Sequence, residues 1–545
     1  MRLHARPPRG TPSPHLVSTD PDAIGAVLED AAHFPGGAAA GVALPRSEAD
    51  VAAVLRSGRT VLPIGAQSSL TGGATPRGDI VVRTSGLNRI LDTTSDRVRV
   101  GAGVVLSDLE AALAVRGLAY PPTPTFTGAC AGGVVATNAA GPATFKYGTT
   151  RDWVEALTVV LADGSVLDLE RGAVRAMDGR LEIVDPQGAV RRVRLPSYTM
   201  PAVRKQSAGY ATAPDLDAID VFIGAEGTLG VVTEVTLRVL SGPPARCFAL
   251  IPCRSERAAL ALVAELRREA HRTWRTSDPN GIDVAAIEQM DQRCVALLRE
   301  DGADVRFGTP LAAWVETLLL VHLDVDAGMT QEGAYGEIAA ALDSDADGRL
   351  VRFCRLLDAH GVLDETQVAA PGDTARANQF FGLREAVPAA VNRRVGQAQA
   401  TVDPRITKTA ADMVVPYERF EEMMARYRAR LDARGLDYAI WGHSSDGNVH
   451  PNVIPRSFAD VEAGRDVILE WGRDVAELGG SPLAEHGVGR NATKQALLRQ
   501  LYGDEGIDQM RAVKRALDPE WKLAPGVLFS VWGDRPVAPT APSTG

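Results

Sequence analysis

The residues with most to offer chemically stand between Trp441 and Pro455, in WGHSSDGNVHPNVIP. His443 and His450 are seven residues apart. On a helix that spacing would separate them by roughly 10 Å along the axis. On one continuous strand they would lie on opposite faces, more than about 20 Å apart. Neither geometry lets two imidazoles share a ligand. Asp446-Gly447 is a strong hairpin-turn signal, with apolar Tyr438-Ala439-Ile440-Trp441 before it and alternating Val449, Asn452, Val453, Ile454 after it. A reversal there brings the imidazoles together across the hairpin. Further on, Ala484-Glu485-His486-Gly487-Val488-Gly489 sets a carboxylate beside a third histidine among flexible glycines. His443, His450 and Glu485 then form a two-histidine, one-carboxylate set, which can bind a catalytic metal with positions open for water or substrate. Imidazole with carboxylate suits zinc or manganese. The competing reading is two core histidines beside a surface turn, and spacing alone leaves both open.

The elements that must position these residues belong to a long chain. At 545 residues it exceeds one hydrophobic core, so two large domains are expected. A 45% hydrophobic and 23% charged composition is that of a soluble globular protein. The net charge of −10 and the lack of a basic stripe argue against a nucleic-acid partner. Cys130, Cys247, Cys253, Cys294 and Cys354 form no CxxC pair, so neither an iron–sulfur cluster nor a cysteine zinc site is expected. Their wide spacing suits a reducing cytosol. Residues 1–20 are basic and proline-rich with no apolar run behind them, which argues against a secretory signal. No run of about 18 apolar residues exists to span a membrane. The stretch after Trp532 reads as disordered linker.

From the N-terminus, residues 22–34 read as a short amphipathic helix, and Ser47 caps a second one, Glu48 to Arg56. Val61 to Ile64 reads as a strand running into the small-residue loop Gly65 to Gly73. Such a loop lets backbone N–H groups approach a phosphate closely. GxGxxG is absent here, so the Rossmann pattern does not apply. The stretch Pro121 to Asp152 is poor in bulky residues and is not expected to form a packed core element. A third small-residue piece, Val221 to Gly230, precedes the strand Val231 to Val239. Residues 166–200 read as an inserted polar hairpin built from VLDLE and RLEIV, with a turn at Asp185 to Gly188. From about residue 244 the pattern becomes alternating strands and helices: helical at 258–268, 332–342, 417–434 and 461–476, and a buried strand at 314–325.

These segments carry a resemblance. GHSSDGNVH resembles the GHxGDGNxH segment of the FAD-linked 2-hydroxy-acid dehydrogenases, and EHGVG resembles that family's second signature. Ser445 replaces the usual glycine. The three small-residue segments resemble the FAD-binding domain of vanillyl-alcohol-oxidase-like and p-cresol-methylhydroxylase-like flavoproteins, and they occur in the family order. Glu288-Gln289-Met290-Asp291, Leu383 to Pro388, Asp412 to Pro416 and Leu517-Asp518-Pro519 are similar to the C-terminal domain of the same family. Leu523-Ala524-Pro525-Gly526 departs from the usual LNPG.

The resemblance implies an α+β protein: an N-terminal extension (1–35), a two-part FAD-binding domain of the p-cresol-methylhydroxylase type (36–243), an α+β substrate domain (244–530) and a tail (531–545). It implies FAD contacts at Pro63, Gly65, Ala66, Gln67, Ser68, Ser69, Thr71 and Gly72 around the pyrophosphate. Pro122, Thr123, Gly128, Gly132, Gly133, Thr137, Asn138, Gly148, Glu226, Gly227 and Gly230 would line the rings. Positions 63–73 contain no histidine, which excludes a covalent flavin link there. The metal set is His443, His450 and Glu485, and His486 is the implied base. Arg384 matches the carboxylate-binding arginine, and Asn452 a further substrate-side position. Lys408 is a weaker match, because hydroxyglutarate-type members place a lysine two residues before the aspartate and Lys408 stands four before Asp412. The implied reaction oxidises a small 2-hydroxy acid, D-lactate or a relative, and passes electrons to a quinone, a cytochrome or an electron-transfer flavoprotein. The implied location is the cytoplasm, or the membrane periphery where the acceptor is membrane-bound. Oligomeric state is not legible. The competing functions are a vanillyl-alcohol-oxidase-type alcohol oxidase, the flavin subunit of a glycolate-oxidase-like complex, and a flavin-free metal hydrolase.

Overall fold

The computed structural model describes residues 2–530, so the tail expected at 531–545 lies outside them. The two largest sheets of the N-terminal part have four and five strands. The first has four strands in the order Val17–Ser18, Ala38–Ala43, Arg77–Arg83, Val61–Ile64. Its Val61–Ile64 strand runs parallel to Arg77–Arg83 and is fully paired on that side alone, which lets it tolerate Pro63. The second has five antiparallel strands, ordered Val166–Glu170, Val154–Val160, Val231–Arg238, Arg97–Gly101, Ile90–Thr93. Ser47 caps the helix Glu48–Leu55 as its spacing predicts, accepting from Asp50 N.

Several expectations change. The helix expected at 22–34 is one turn, Pro21–Gly25: Asp20 caps its start, Gly25 is a poor residue to continue it, and Val27 turns into the main core. VLDLE and RLEIV do not pair with each other. Val166–Glu170 completes the five-stranded sheet, whereas Arg180–Val184 pairs with Val190–Arg194 and with Leu3–His4. The bulk-poor stretch 121–152 contains the helix Ala131–Thr137, and Ala131, Val134 and Val135 sit in the main core. Small residues there pack because neighbouring backbone comes close: a Cβ on Gly132 would lie 2.6 Å from Ala102 Cβ.

The C-terminal part is built on an eight-stranded antiparallel sheet that includes Ala245–Cys253, Thr317–Val325, Val284–Met290 and the hairpin Tyr438–His443/Asn448–Val453. Its strands read as continuous apolar runs because helices cover both faces. Glu256–Thr276 packs on one face, and Gln292–Glu300 with Thr374–Thr401 on the other. The helices near 258, 332, 417 and 461 are present as Glu256–Thr276, Gln331–Ala339, Phe420–Asp432 and Phe458–Glu477, and the strand expected at 314 begins at Thr317. Phe458–Glu477 packs on the hairpin side of this sheet and against Ala492–Leu517, and both helices share one hydrophobic core with the N-terminal sheets. The chain then returns to the first sheet: Val61 N donates to Lys522 O at 2.8 Å and Ala524 N to Val61 O at 2.8 Å. The end of the chain is thereby fixed to the strand from which the loop Gly65 to Gly73 grows.

Candidate active site

Asp446-Gly447 does reverse the chain. Gly447 takes φ +73°, and a Cβ there would meet Val415 O at 2.5 Å, so the turn position admits little besides glycine. Ser445, where a glycine is usual, does not have a positive φ. Its hydroxyl accepts from Ile287 N at 3.1 Å and its carbonyl accepts from Arg267. Serine thus supports the turn from the neighbouring strand. Trp441 pairs with His450 in register, and the His443 and His450 rings meet edge to face with centroids 5.5 Å apart. One donor atom from each of His443, His450 and Glu485 lies within 4.8 Å of the others. The same holds for Asp412, His450 and His486.

The two sets differ in what else binds them. The buried Asp412 carboxylate accepts from the backbone of Glu485 and of His486, both at 2.8 Å, and from Asn448 Nδ2 at 3.2 Å. It also lies 3.1 Å from His486 Nδ1 and 3.4 Å from His450 Nδ1. Asp412 is therefore an orienter whose lone pairs are already engaged, and it leaves both Nε2 atoms for other partners. Glu288 does the same for His443, bonding Nδ1, while Nε2 stands 3.4 Å from Glu485 Oε1. The donors of His443, His450 and Glu485 thus carry the uncommitted nitrogens and fit a divalent ion.

Charges follow from these contacts. Burial lowers the His443 pKa, but Glu288 and then Glu485 overcome that and push it up to about 9. Burial dominates at His486 and pushes it down to about 4 against the pull of Asp412, so its imidazole is neutral near pH 7. Burial alone would raise Glu485, but Lys205 and His443 hold it well below the usual carboxylate range. Lys205, Glu288 and Asp412 were given no role from sequence. Each lies on a segment far from the residue it serves, so no local spacing marks it.

Glu485 and His486 line a cleft of about 330 Å³. All the first-loop residues expected at the cofactor line it except Gly72. Gly132, Gly133 and Thr137 line it from the second segment, and Glu226, Gly227 and Gly230 from the third. A Cβ on Gly133 would meet nothing within 4 Å, so that wall faces open room, whereas one on Gly227 (φ +71°) would strike Pro63 Cγ at 2.7 Å. Small residues and free backbone along a cleft fit a large flat ligand such as FAD. Six expected contacts lie elsewhere. Gly72 (φ +72°) packs under Phe34, Gly128 against Phe126, and Gly148 (φ +80°) against Asp152. Pro122 is buried away from the cleft, Thr123 Oγ1 bonds Glu110, and Asn138 in the left-handed region accepts from Arg151 N. These residues shape the loops that line the cleft. Glu226 also accepts from Val488 N at 2.7 Å and Gly489 N at 2.9 Å, so its carboxylate anchors the histidine-bearing loop.

Arg384 does not line the cleft. Its Nε donates to Glu288 at 2.8 Å and its Nη1 to Glu385 at 2.7 Å, so it stands behind His443 with only Nη2 uncommitted among the described residues. Asn452 is buried and donates to His450 O, with Oδ1 unpartnered. Ala410 pairs with Asn452, and Lys408, two residues before it, has no protein partner among the described residues. The Lys408 side chain is exposed.

Two family models match this chain: the FAD binding domain over residues 39–170 and the FAD linked oxidases, C-terminal domain, over residues 243–528. The chain belongs to the FAD-linked oxidases and is an FAD-linked oxidoreductase. It is 29% identical over 502 residues to a D-2-hydroxyglutarate dehydrogenase of Xanthomonas citri pv. viticola, covering 90% of this chain and 89% of that one. A glycolate oxidase subunit GlcD of Bacillus subtilis is 28% identical (86% and 84% covered), and a D-lactate dehydrogenase of Anaerostipes hadrus is 27% identical with the same coverage. A solved alkyldihydroxyacetonephosphate synthase shares the fold, with TM-score 0.58 over 96% of this chain and 87% of that one at 13% identity. Among the described residues no helix is long and apolar enough to cross a membrane.

Proposed function

We propose that the protein oxidises a D-2-hydroxy acid, D-lactate or a related acid, to the 2-oxo acid, with a divalent metal held by His443, His450 and Glu485. The observation that carries this reading is that Glu485, of the metal set, and His486 both line the cleft that the small-residue loops form. The relatives named for 2-hydroxy-acid oxidation support the substrate class. Bound FAD supplies a two-electron acceptor for the Cα hydrogen, and a zinc or manganese ion supplies Lewis acidity toward the hydroxyl. The chain's own residues do the rest. His486, neutral at pH 7, takes the hydroxyl proton on Nε2 while Asp412 holds Nδ1 and receives the developing positive charge. Asn452 offers its free Oδ1 near the reacting group. Lys408, lacking a protein counter-ion, and Arg384 Nη2 supply positive charge for the substrate carboxylate. The loops 63–71 and 225–230 with the helix 131–137 line the cleft.

The test is a screen of D- and L-2-hydroxy acids with an artificial dye acceptor, followed by chelation. Turnover of a D-acid that stops on chelation and returns with zinc or manganese supports the reading. Turnover that survives complete metal removal sinks the metal, and no reduction of the flavin by any 2-hydroxy acid sinks the substrate class. Acid precipitation should leave FAD in the supernatant, since no histidine occupies positions 63–73.

A further inference from the structure

We propose that Lys205 is a positioning residue of this site: it ties the Glu485 carboxylate to Asp446 in the hairpin turn and so holds Glu485 where His443 and His450 can share a ligand with it. The inference rests on the metal reading above. The Lys205 side chain is 0% exposed, and its Nζ lies 2.9 Å from Asp446 Oδ2 and 2.5 Å from Glu485 Oε1. The two carboxylates come from segments about forty residues apart, and the ammonium comes from the cofactor side of the molecule. Two residues on, Ser207 N donates to Leu483 O at 3.0 Å and Ser207 Oγ accepts from Gly487 N at 3.1 Å, so the segment 205–207 flanks the loop 483–487 at both ends.

The contact is better explained by placement than by stability. A buried ion triad is a poor source of stability, and apolar side chains of the same volume commonly replace one at no loss. Asp446 accepts no hydrogen bond of good geometry, so the turn does not need its carboxylate for its own bonding. What the ammonium does is fix one oxygen of Glu485. Oε1 takes both Lys205 and the His443 Nε2 contact, and Oε2 takes none among the described residues. Without Lys205, Glu485 and Asp446 become two buried carboxylates with no cation between them. Glu485 would then rotate away from His443 or take up a proton, and either change removes a ligand from the set.

The experiment compares purified, FAD-loaded Lys205→Met, Lys205→Arg, Asp446→Asn and the double variant Lys205→Met/Asp446→Asn. Metal per FAD is measured after dialysis against zinc or manganese, together with the flavin spectrum, melting temperature, kcat and KM. Lys205→Met should bind metal about 10- to 100-fold more weakly and lose kcat to a similar extent, with the flavin retained. Lys205→Arg should recover most of both. The double variant removes the Lys205 and Asp446 charges together and leaves Glu485 paired with His443 alone, so it should regain most of the wild-type melting temperature and still lack metal and kcat. If the double variant regains metal and kcat along with its melting temperature, Lys205 is merely structural and the proposal falls. It falls equally if Lys205→Met binds metal and turns over like the wild type. Where Lys205→Met does not fold, the double variant carries the test. A wild-type protein that takes up no metal defeats the metal reading separately. Lys205 is then judged by kcat in the double variant: a loss of about tenfold or more at unchanged KM supports the placement of Glu485 and His486, and an unchanged kcat overturns it.

Discussion

At the scale of single residues, the site assigns separate jobs to groups that sequence places side by side. Glu485 and His486 are neighbours, yet the first is held ionised by Lys205 and His443 and the second is kept neutral by burial. His486→Asn should therefore lower kcat by about 10²- to 10⁴-fold with little change in KM, because the group acts only as the proton moves. Steady-state kinetics on the best acid decide it, and a variant that loses affinity while keeping kcat defeats the base assignment. Ala524 is a different kind of residue. Asparagine, usual at this point in the family, tolerates the left-handed region, whereas alanine does so at a cost. Ala524 is nearly fully buried with φ +42°. Ala524→Gly should raise stability by roughly 1 kcal/mol, read as a shift of the urea midpoint at constant slope. A lower midpoint would mean that packing of the methyl outweighs backbone strain.

At the scale of elements, the hairpin and its supports show how much was legible. The reversal at Asp446-Gly447 follows from local turn chemistry, and the three small-residue segments declare a close-approached ligand by their lack of bulk. Glu288 and Asp412 were quoted as parts of motifs without a role, because a carboxylate behind a histidine acts across a sheet. Glu288 pairs with His443 in register from the neighbouring strand, a relation that appears only once the sheet is assembled. Lys205, in Arg204-Lys205-Gln206, reads from sequence as one of many solvated basic residues. Arg384 stands in the Leu383 to Pro388 motif, and its commitment to Glu288 and Glu385 could not be read from helix spacing. The hairpin also yields a prediction. Glu288→Gln keeps the shape behind His443 while removing the charge that fixes its Nδ1–H, so metal affinity should fall about 10- to 100-fold. Competition with a coloured chelator measures this, and an unchanged affinity would show that Glu288 serves Arg384 alone.

At the scale of the whole molecule, two further connections hold the cofactor side to the substrate side besides those at Lys205, Ser207 and Glu226. One is a buried ion cluster: Lys146 Nζ lies 2.8 Å from Asp283 and 2.7 Å from Asp324, and Tyr147 OH donates to Asp324. Lys146→Met leaves two enclosed carboxylates without that cation and should cost about 3 kcal/mol, seen as a lower melting temperature. Unchanged stability would mean that Arg349, 3.2 Å from Asp283, compensates. The other connection is the return of residues 522–524 to the strand Val61–Ile64. During synthesis, that strand leaves the ribosome more than four hundred residues before its partner does. The first cofactor loop, which grows directly out of Val61–Ile64, therefore waits for this second brace through almost the whole of translation, held until then by the pairing with Arg77–Arg83. FAD capture becomes a late event, and a nascent chain halted at residue 515 should emerge colourless however completely its N-terminal sheets have formed.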